Sequence, residues 1–293
     1  MTFQRTVPAL VFSAVLLALA GRPAAAQGNE HAHEQPEPPQ LKWSFAGPFG
    51  KFDRGQLQRG FKVYREVCAN CHALSYVSFR NLSEKGGPEY SAAQASAVAA
   101  EYKIKDGPND QGEMFDRPGR LADYFPPPFP NEAAARVANG GAYPPDLSVI
   151  AKARTYERGF PRFLMDLVTQ YQEQGVDYIA ALLTGYEKKP DDVTMAPGLQ
   201  YNKYFPGHGI AMPPPISDGQ VTYDDGSPTT IDQYSRDISA FLAWTAEPHL
   251  EGRKRTGFQV IIFLLLLSGL LYFTKKRIWQ DVHTHPEELS KKS

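Results

Sequence analysis

Residues 256–273 form an apolar run without a single charge, bracketed by Arg253-Lys254-Arg255 and Lys275-Lys276-Arg277. Lipid offers no partner to a free peptide group, so a stretch this apolar on all sides is a helix that satisfies its own backbone. Its rise of about 27 Å nearly matches the roughly 30 Å of bilayer hydrocarbon, and the basic brackets can reach the headgroups. A buried core helix competes with this reading, but charged clamps at both ends argue against it. The chain is therefore expected to carry one membrane anchor with basic flanks at 253–277 and a short tail at 278–293. Three basic residues on each side leave orientation undecided by charge, although Lys291 and Lys292 add to the tail.

The other end settles the orientation. Residues 1–26 carry Arg5, the apolar run 7–20 and then Ala24-Ala25-Ala26, the order of a secretory signal peptide with a small-residue cleavage site. That run is too short to cross a bilayer, which disfavours an uncleaved N-terminal anchor. The mature chain is expected to begin near Gln27, with 27–252 exported and the tail in the cytoplasm. The exported segment has 21 basic and 29 acidic residues, a net charge of -8 that argues against nucleic acid and for a basic partner. Within it, five aspartates at 218–237 face Arg236 alone, marking the expected docking surface.

With 24 Gly and 25 Pro in 293 residues, the exported part reads as helices joined by long loops. Residues 27–40 form a polar linker whose His31 and His33 read as solvated. Asp53 can cap a helix with Leu57, Phe61, Tyr64 and Val67 on one face, which delivers Cys68. Thr230 and Gln233 have capping-box spacing ahead of Ile231, Tyr234, Ile238, Phe241 and Leu242, in a helix that ends before Pro248 and brings Trp244 to the core. Shorter helices are expected at 163–171 and 177–183, the latter closed by Gly185. No alternating strand series is evident.

The two cysteines lie in Cys68-Ala69-Asn70-Cys71-His72. Two thiols at this spacing can form thioethers with the two vinyl groups of one haem, and the adjacent histidine reaches the iron from the same side. A thioredoxin-like dithiol shares the spacing but calls for a βαβ pattern; a zinc site calls for a second ligand pair. One covalent haem c through Cys68 and Cys71 is the expected cofactor. The sixth iron position then decides function, because a methionine thioether fills it and leaves electron transfer alone. Met114 lies in a charged stretch and Met165 among helix-core residues, whereas Met195 and Met212 both lie in proline-bearing loops. Met212 is preferred, because Ile210, Ala211 and Ile216 can keep water off its sulfur while Pro213, Pro214 and Pro215 stiffen the loop.

Residues 63–72 (VYREVCANCH), 139–148 (NGGAYPPDLS), 182–186 (LLTGY) and 204–207 (YFPG) together resemble the cytochrome c1 family. So do 209–216 (GIAMPPPI), Tyr223-Asp224-Asp225-Gly226 and the helix, basic cluster and anchor that follow. The resemblance runs from about Trp43 to the tail. It implies a mainly α protein: a class I cytochrome c-like haem domain at 41–252, with long loops, on one C-terminal transmembrane helix. It further implies the haem subunit of a bacterial quinol:cytochrome c oxidoreductase, the bc1 complex of respiratory or photosynthetic chains, beside cytochrome b and a Rieske iron–sulfur subunit in a dimeric assembly.

By the same resemblance Cys68, Cys71 and His72 hold the haem, Met212 is the sixth ligand, Arg136 meets a propionate, and Pro144 and Pro145 line the pocket. The segment 155–175 is longer than in shorter family members and reads as a surface insert. An electron would arrive from the iron–sulfur subunit and leave to a basic cytochrome c, so the chain is one step of an enzyme and not a catalyst alone. Two other readings remain: a c-type haem subunit of another respiratory complex, and a membrane-tethered thiol oxidoreductase.

Overall fold

The computed structural model describes residues 36–156, 171–191 and 193–280, together with Arg162, Met165 and Asp166. The expected signal peptide, most of the polar linker with His31 and His33, most of the expected helix at 163–171 and the tail beyond Gln280 lie outside the described residues. Two helices from distant parts of the chain organise the rest.

The first, α1 (Arg54–Glu66), begins where Asp53 accepts a hydrogen bond from the Gln56 amide at 3.0 Å. That carboxylate satisfies an otherwise orphaned donor, as an N-cap must. Leu57, Phe61 and Tyr64 are buried as their spacing requires, and Val67 ends the helix. A 3₁₀ turn over Cys68–Asn70 follows at once. Further on, a 3₁₀ segment at Phe79–Ser83 leads to α2 (Ala92–Ala100). Next come α3 (Glu132–Ala138), the single turn α4 (Ile150–Ala153) and α5 (Gln174–Thr184). The second organising helix is α6 (Ile231–Ala246), and α7 (Leu250–Ile278) leaves the domain.

α1 and α6 meet at Gly60. A Cβ there would lie 2.1 Å from the Asp237 carbonyl oxygen and 2.6 Å from Phe241 Cβ, so the two backbones touch because glycine has no side chain. Around this contact Phe61 and Tyr64 pack on Phe241 with ring centroids 5.8 and 6.0 Å apart. Phe125, brought back by the loop after α2, packs on Phe61 and on Phe79. The aromatic core thus lies directly behind the turn that carries the cysteines.

One buried ion pair crosses the same interface. Asp237 is fully buried and receives Arg59 Nε at 2.9 Å, and Arg59 also reaches Asp225 at 2.7 Å. Truncating one partner would leave a buried charge unpaired, which typically costs about 3–5 kcal/mol. The capping box expected at α6 is only half present. Thr230 accepts from the Gln233 amide, but the Gln233 side chain turns to Asp237 at 2.9 Å, and Asp218 accepts from the Ile231 amide at 2.7 Å.

α5 packs on α6 and extends beyond its expected ends on both sides, to Gln174 and Thr184. Gly185 caps it with φ -90°, so its role is not the left-handed turn usual for a closing glycine. Space is the reason: a Cβ would sit 2.7 Å from the Tyr204 ring and 2.8 Å from the Ala181 carbonyl. The arm before α1 is pinned to α5, with Trp43 Nε1 donating to the buried Asp177 at 2.7 Å and the Leu41 amide at 3.1 Å.

Two small antiparallel sheets were not anticipated: β1 (Lys103–Asp106) with β2 (Phe115–Pro118), and β3 (Gln200–Tyr201) with β4 (Gly209–Ile210). They are too short to show a period of two. The first pair is stitched by Arg117, which reaches both Asp106 and Asp123.

α7 runs unbroken for 29 residues, with a mean hydropathy of 2.1 over its most apolar stretch and none of that stretch buried. At 1.5 Å per residue it is about 43 Å long, so both ends stand outside the hydrocarbon.

Gly60→Ala is expected to force α1 and α6 apart and lower stability by about 1–3 kcal/mol, the usual range for overpacking. At about 2–4 °C per kcal/mol for a domain of this size, thermal denaturation would show a clear drop.

Candidate functional site

The end of α1 fixes the cysteine turn. The His72 and Cys71 amides both donate to the Cys68 carbonyl, at 2.9 and 3.1 Å, and the Asn70 side chain donates to the Val67 carbonyl at 3.2 Å. Tyr64 reaches forward from the core to the His72 carbonyl at 3.3 Å. No disulfide joins the two cysteines; Cys71 is exposed and Cys68 half-buried as a residue. Burial nevertheless pushes the Cys68 thiol up to about 12, the reverse of what an attacking thiolate needs.

His72 is held from behind. Its Nδ1 lies 2.8 Å from the Pro145 carbonyl oxygen. A carbonyl only accepts, so Nδ1 carries the proton and Nε2 keeps its lone pair for a metal. Burial lowers the imidazole below its ordinary range despite the Pro145 bond and the nearby Asp146 charge, so the ring is neutral at pH 7. A neutral imidazole whose other nitrogen is anchored is the form that ligates iron.

Pro145 is itself laced to the segment after His72. The Leu147 amide donates to the Ala73 carbonyl at 2.9 Å, and the Tyr76 amide donates to Ser148 Oγ at 3.0 Å. Asp146 accepts from the Ser75 amide at 3.0 Å and from the Ser148 amide at 2.7 Å. Burial opposes its charge, but these bonds outweigh that and hold the carboxyl below the usual range. The sequence reading gave no such role to Ser75, Asp146 or Ser148, and it placed Tyr64 only on the buried face of α1. The signal was present in Asp146-Leu147-Ser148, since an aspartate that bonds the amide two residues on is a common turn former.

Pro144 is half-buried beside this lacing, while Pro145 is exposed. Arg136 sits on α3, about half exposed, ion-paired with Glu132 at 2.7 Å. It donates to the Gly141 carbonyl at 3.0 Å and lies over the Tyr143 ring at 5.6 Å, so it steadies the loop leading to Pro144.

Met212 lies in the loop after β4, half-buried between the buried Ile210 and Ile216. Ala211, expected to help shield it, is exposed. Tyr186, just past the end of α5, donates to the Met212 carbonyl at 3.1 Å and fixes the loop, a further role not read from the sequence. Met114 and Met165 are largely exposed, whereas Met195 is half-buried like Met212. The structure thus brings Cys68, Cys71, His72 and Pro145 into one unit. Among the described residues no hydrogen bond joins the Met212 loop to it.

Together these residues fit a c-type haem: two cysteines on a fixed turn that do not bond each other, a neutral histidine with one ring nitrogen anchored, and a thioether in a proline-bearing loop with apolar flanks.

The expected acidic face needs correction. Asp224 pairs with Lys62 at 3.0 Å, Asp225 and Asp237 with Arg59, and Asp232 with Arg236, while Asp218 caps α6. The sequence counted one cation in this run, but α1 supplies two more from outside it.

A family model described as the cytochrome C1 family matches residues 43–282. "Cytochrome b/c1" of Bradyrhizobium diazoefficiens is 67% identical over 88% of this chain, which spans only 37% of that longer relative. "Cytochrome c1" of Blastochloris viridis is 50% identical over 94% of both chains. A potato protein, "Cytochrome c1-2, heme protein, mitochondrial", is 46% identical over 87% of this chain and 89% of its own.

Asp146→Asn is expected to weaken the lacing. A carboxyl held low in the folded chain contributes stability above its unfolded range, about pH 4, and loses it as pH falls through the folded value. The stability gap between wild type and variant, measured by denaturant at several pH values, should therefore be full at pH 7 and shrink in acid.

With the cysteine turn, the anchored histidine and an apolar C-terminal helix in place, and with the match running across nearly all of them, this chain belongs to the cytochrome c1 family.

Proposed function

We propose that this chain, as the haem-carrying electron-transfer subunit its family implies, takes an electron from a Rieske iron–sulfur subunit and passes it to a basic cytochrome c, within a dimeric bc1 complex that also holds cytochrome b. The observation that carries the reading is the His72 Nδ1 to Pro145 contact of 2.8 Å, which fixes the tautomer an iron ligand requires. Haem c, when bound, would supply a one-electron iron couple.

The rest is done by the chain's own residues. Cys68 and Cys71 would hold the group covalently as thioethers. His72 would offer Nε2 to its iron, and Met212 its sulfur. Pro145 orients the imidazole, and Asp146 and Ser148 hold Pro145 in place. Ile210, Ile216 and the three prolines after Met212 limit water and outside ligands. Pro144 lines the pocket. Arg136 meets a propionate with whatever donors its Glu132 pairing leaves, since a guanidinium has five. No bond of a substrate is made or broken, so the chain conducts and does not catalyse.

In the proposed topology residues 1–26 are a signal peptide and the domain at 41–252 lies in the periplasm of a bacterial inner membrane. The anchor at 253–277 leaves the tail at 278–293 in the cytoplasm.

Met212→Leu tests the ligand set. The variant is expected to keep its covalent haem, to show a lowered midpoint potential in redox titration and to bind carbon monoxide. An unchanged midpoint would move the sixth ligand to Met195.

A further inference from the structure

Phe49 is a large apolar side chain left 70% exposed, on a loop the fold takes care to hold still. The Lys51 amide closes the loop on the Ser44 carbonyl at 3.0 Å, and the Ala46 amide bonds the Trp43 carbonyl at 3.1 Å. Phe45, one turn inside, is buried between Trp43 and Phe52, with ring centroids at 5.6 and 4.7 Å. Gly50 is needed for the tightness of the turn, since a Cβ there would lie 2.1 Å from the Ala46 carbonyl oxygen.

The same loop is fastened to the base of α7. Lys254 Nζ donates to the Phe45 carbonyl, the Phe52 amide donates to Glu251 at 3.0 Å, and Arg54 pairs with Glu251 at 2.8 Å. The Phe49 ring meets Phe258 edge-on at 5.4 Å. Phe258 is itself 49% exposed and stands near the start of the apolar run, about 6 Å along the axis beyond Lys254 at 1.5 Å per residue.

From this we propose that Phe49 is a membrane wedge, a second attachment that enters the bilayer interface beside α7. The occupant of its exposed face is lipid, because that face is continuous with the lipid-facing surface of the anchor: Phe49 leads to Phe258 and then, three and four residues on along the same side of the helix, to the exposed Ile261 and Ile262. Lys51, two residues from Phe49, and Arg255, three residues before Phe258, are exposed, as is Arg253 beside its partner Glu247, and on this reading they meet the lipid headgroups. Aromatic rings below and cations above is the order that an interfacial anchor presents to a bilayer. A single helix leaves the domain free to swivel, whereas a rigid wedge at its side fixes the height and tilt of the domain over the membrane.

The inference rests on α7 spanning the membrane. Phe49→p-benzoylphenylalanine, made in the full haem-loaded chain in its native membranes and irradiated, is expected to yield a lipid adduct. Two further sites carry the same photoreactive residue: Leu265, 68% exposed in mid-helix, as lipid control, and Val137, 85% exposed on α3, as water control. The expected result is an adduct at 49 comparable with that at 265 and none at 137. Capture of another polypeptide at 49, or no adduct there while 265 gives one, overturns the wedge. Absence at both overturns the anchor reading and the wedge with it. Haem absorbance checks folding, and Pro48, also exposed, serves as a second site on the same loop should substitution at 49 prevent assembly.

Discussion

The turn from Cys68 to His72 is where the structure converges, and it is held rigid from two directions. From inside, Tyr64 on α1 bonds the His72 carbonyl; from outside, Pro145 takes the ring proton. A ligand bond to iron needs its donor fixed to a fraction of an ångström, and loops alone rarely achieve that. Here two loop segments, 72–76 and 145–148, gain the rigidity of a paired structure from a handful of cross-bonds without forming a sheet. Asp146 is one of these ties, since its carboxylate accepts an amide from each segment.

The helices exist to carry that turn. α1 and α6 come from opposite ends of the domain and close on each other at Gly60, with the Arg59 and Asp237 pair buried beside the contact. Their crossing sets the direction in which α1 ends, and so where the cysteines stand. α5 repeats the arrangement on the other flank: it packs on α6, and Tyr186 just past its end fixes the Met212 loop. The cysteine turn and the Met212 loop thus both hang from helices that share α6 as a common support.

Much of this was legible from residues alone. Asp53 with the spacing of Leu57, Phe61 and Tyr64 specified α1, and an uncharged apolar run between basic brackets specified α7, because both follow from local rules of capping and burial. The turn from Cys68 to His72 was legible because its residues are contiguous in sequence. What escaped was contact at a distance. Asp146, Ser148 and Tyr186 act on residues 26 or more positions away, and no local pattern announces that. Gly185 was recognised as a helix stop for the wrong reason, since crowding by Tyr204 is a tertiary fact. The aspartates at 218–237 read as an acidic face because Arg59 and Lys62, which pair with three of them, lie far upstream.

The central claim is that the Cys68–His72 turn holds a haem by covalent bonds. The direct measurement is to denature the mature chain, extract it with acidified acetone and record the pyridine haemochrome spectrum of what stays with the polypeptide. The account predicts a coloured chain whose spectrum reports both vinyl groups consumed. A colourless polypeptide, with its two thiols free to titrate, would contradict it.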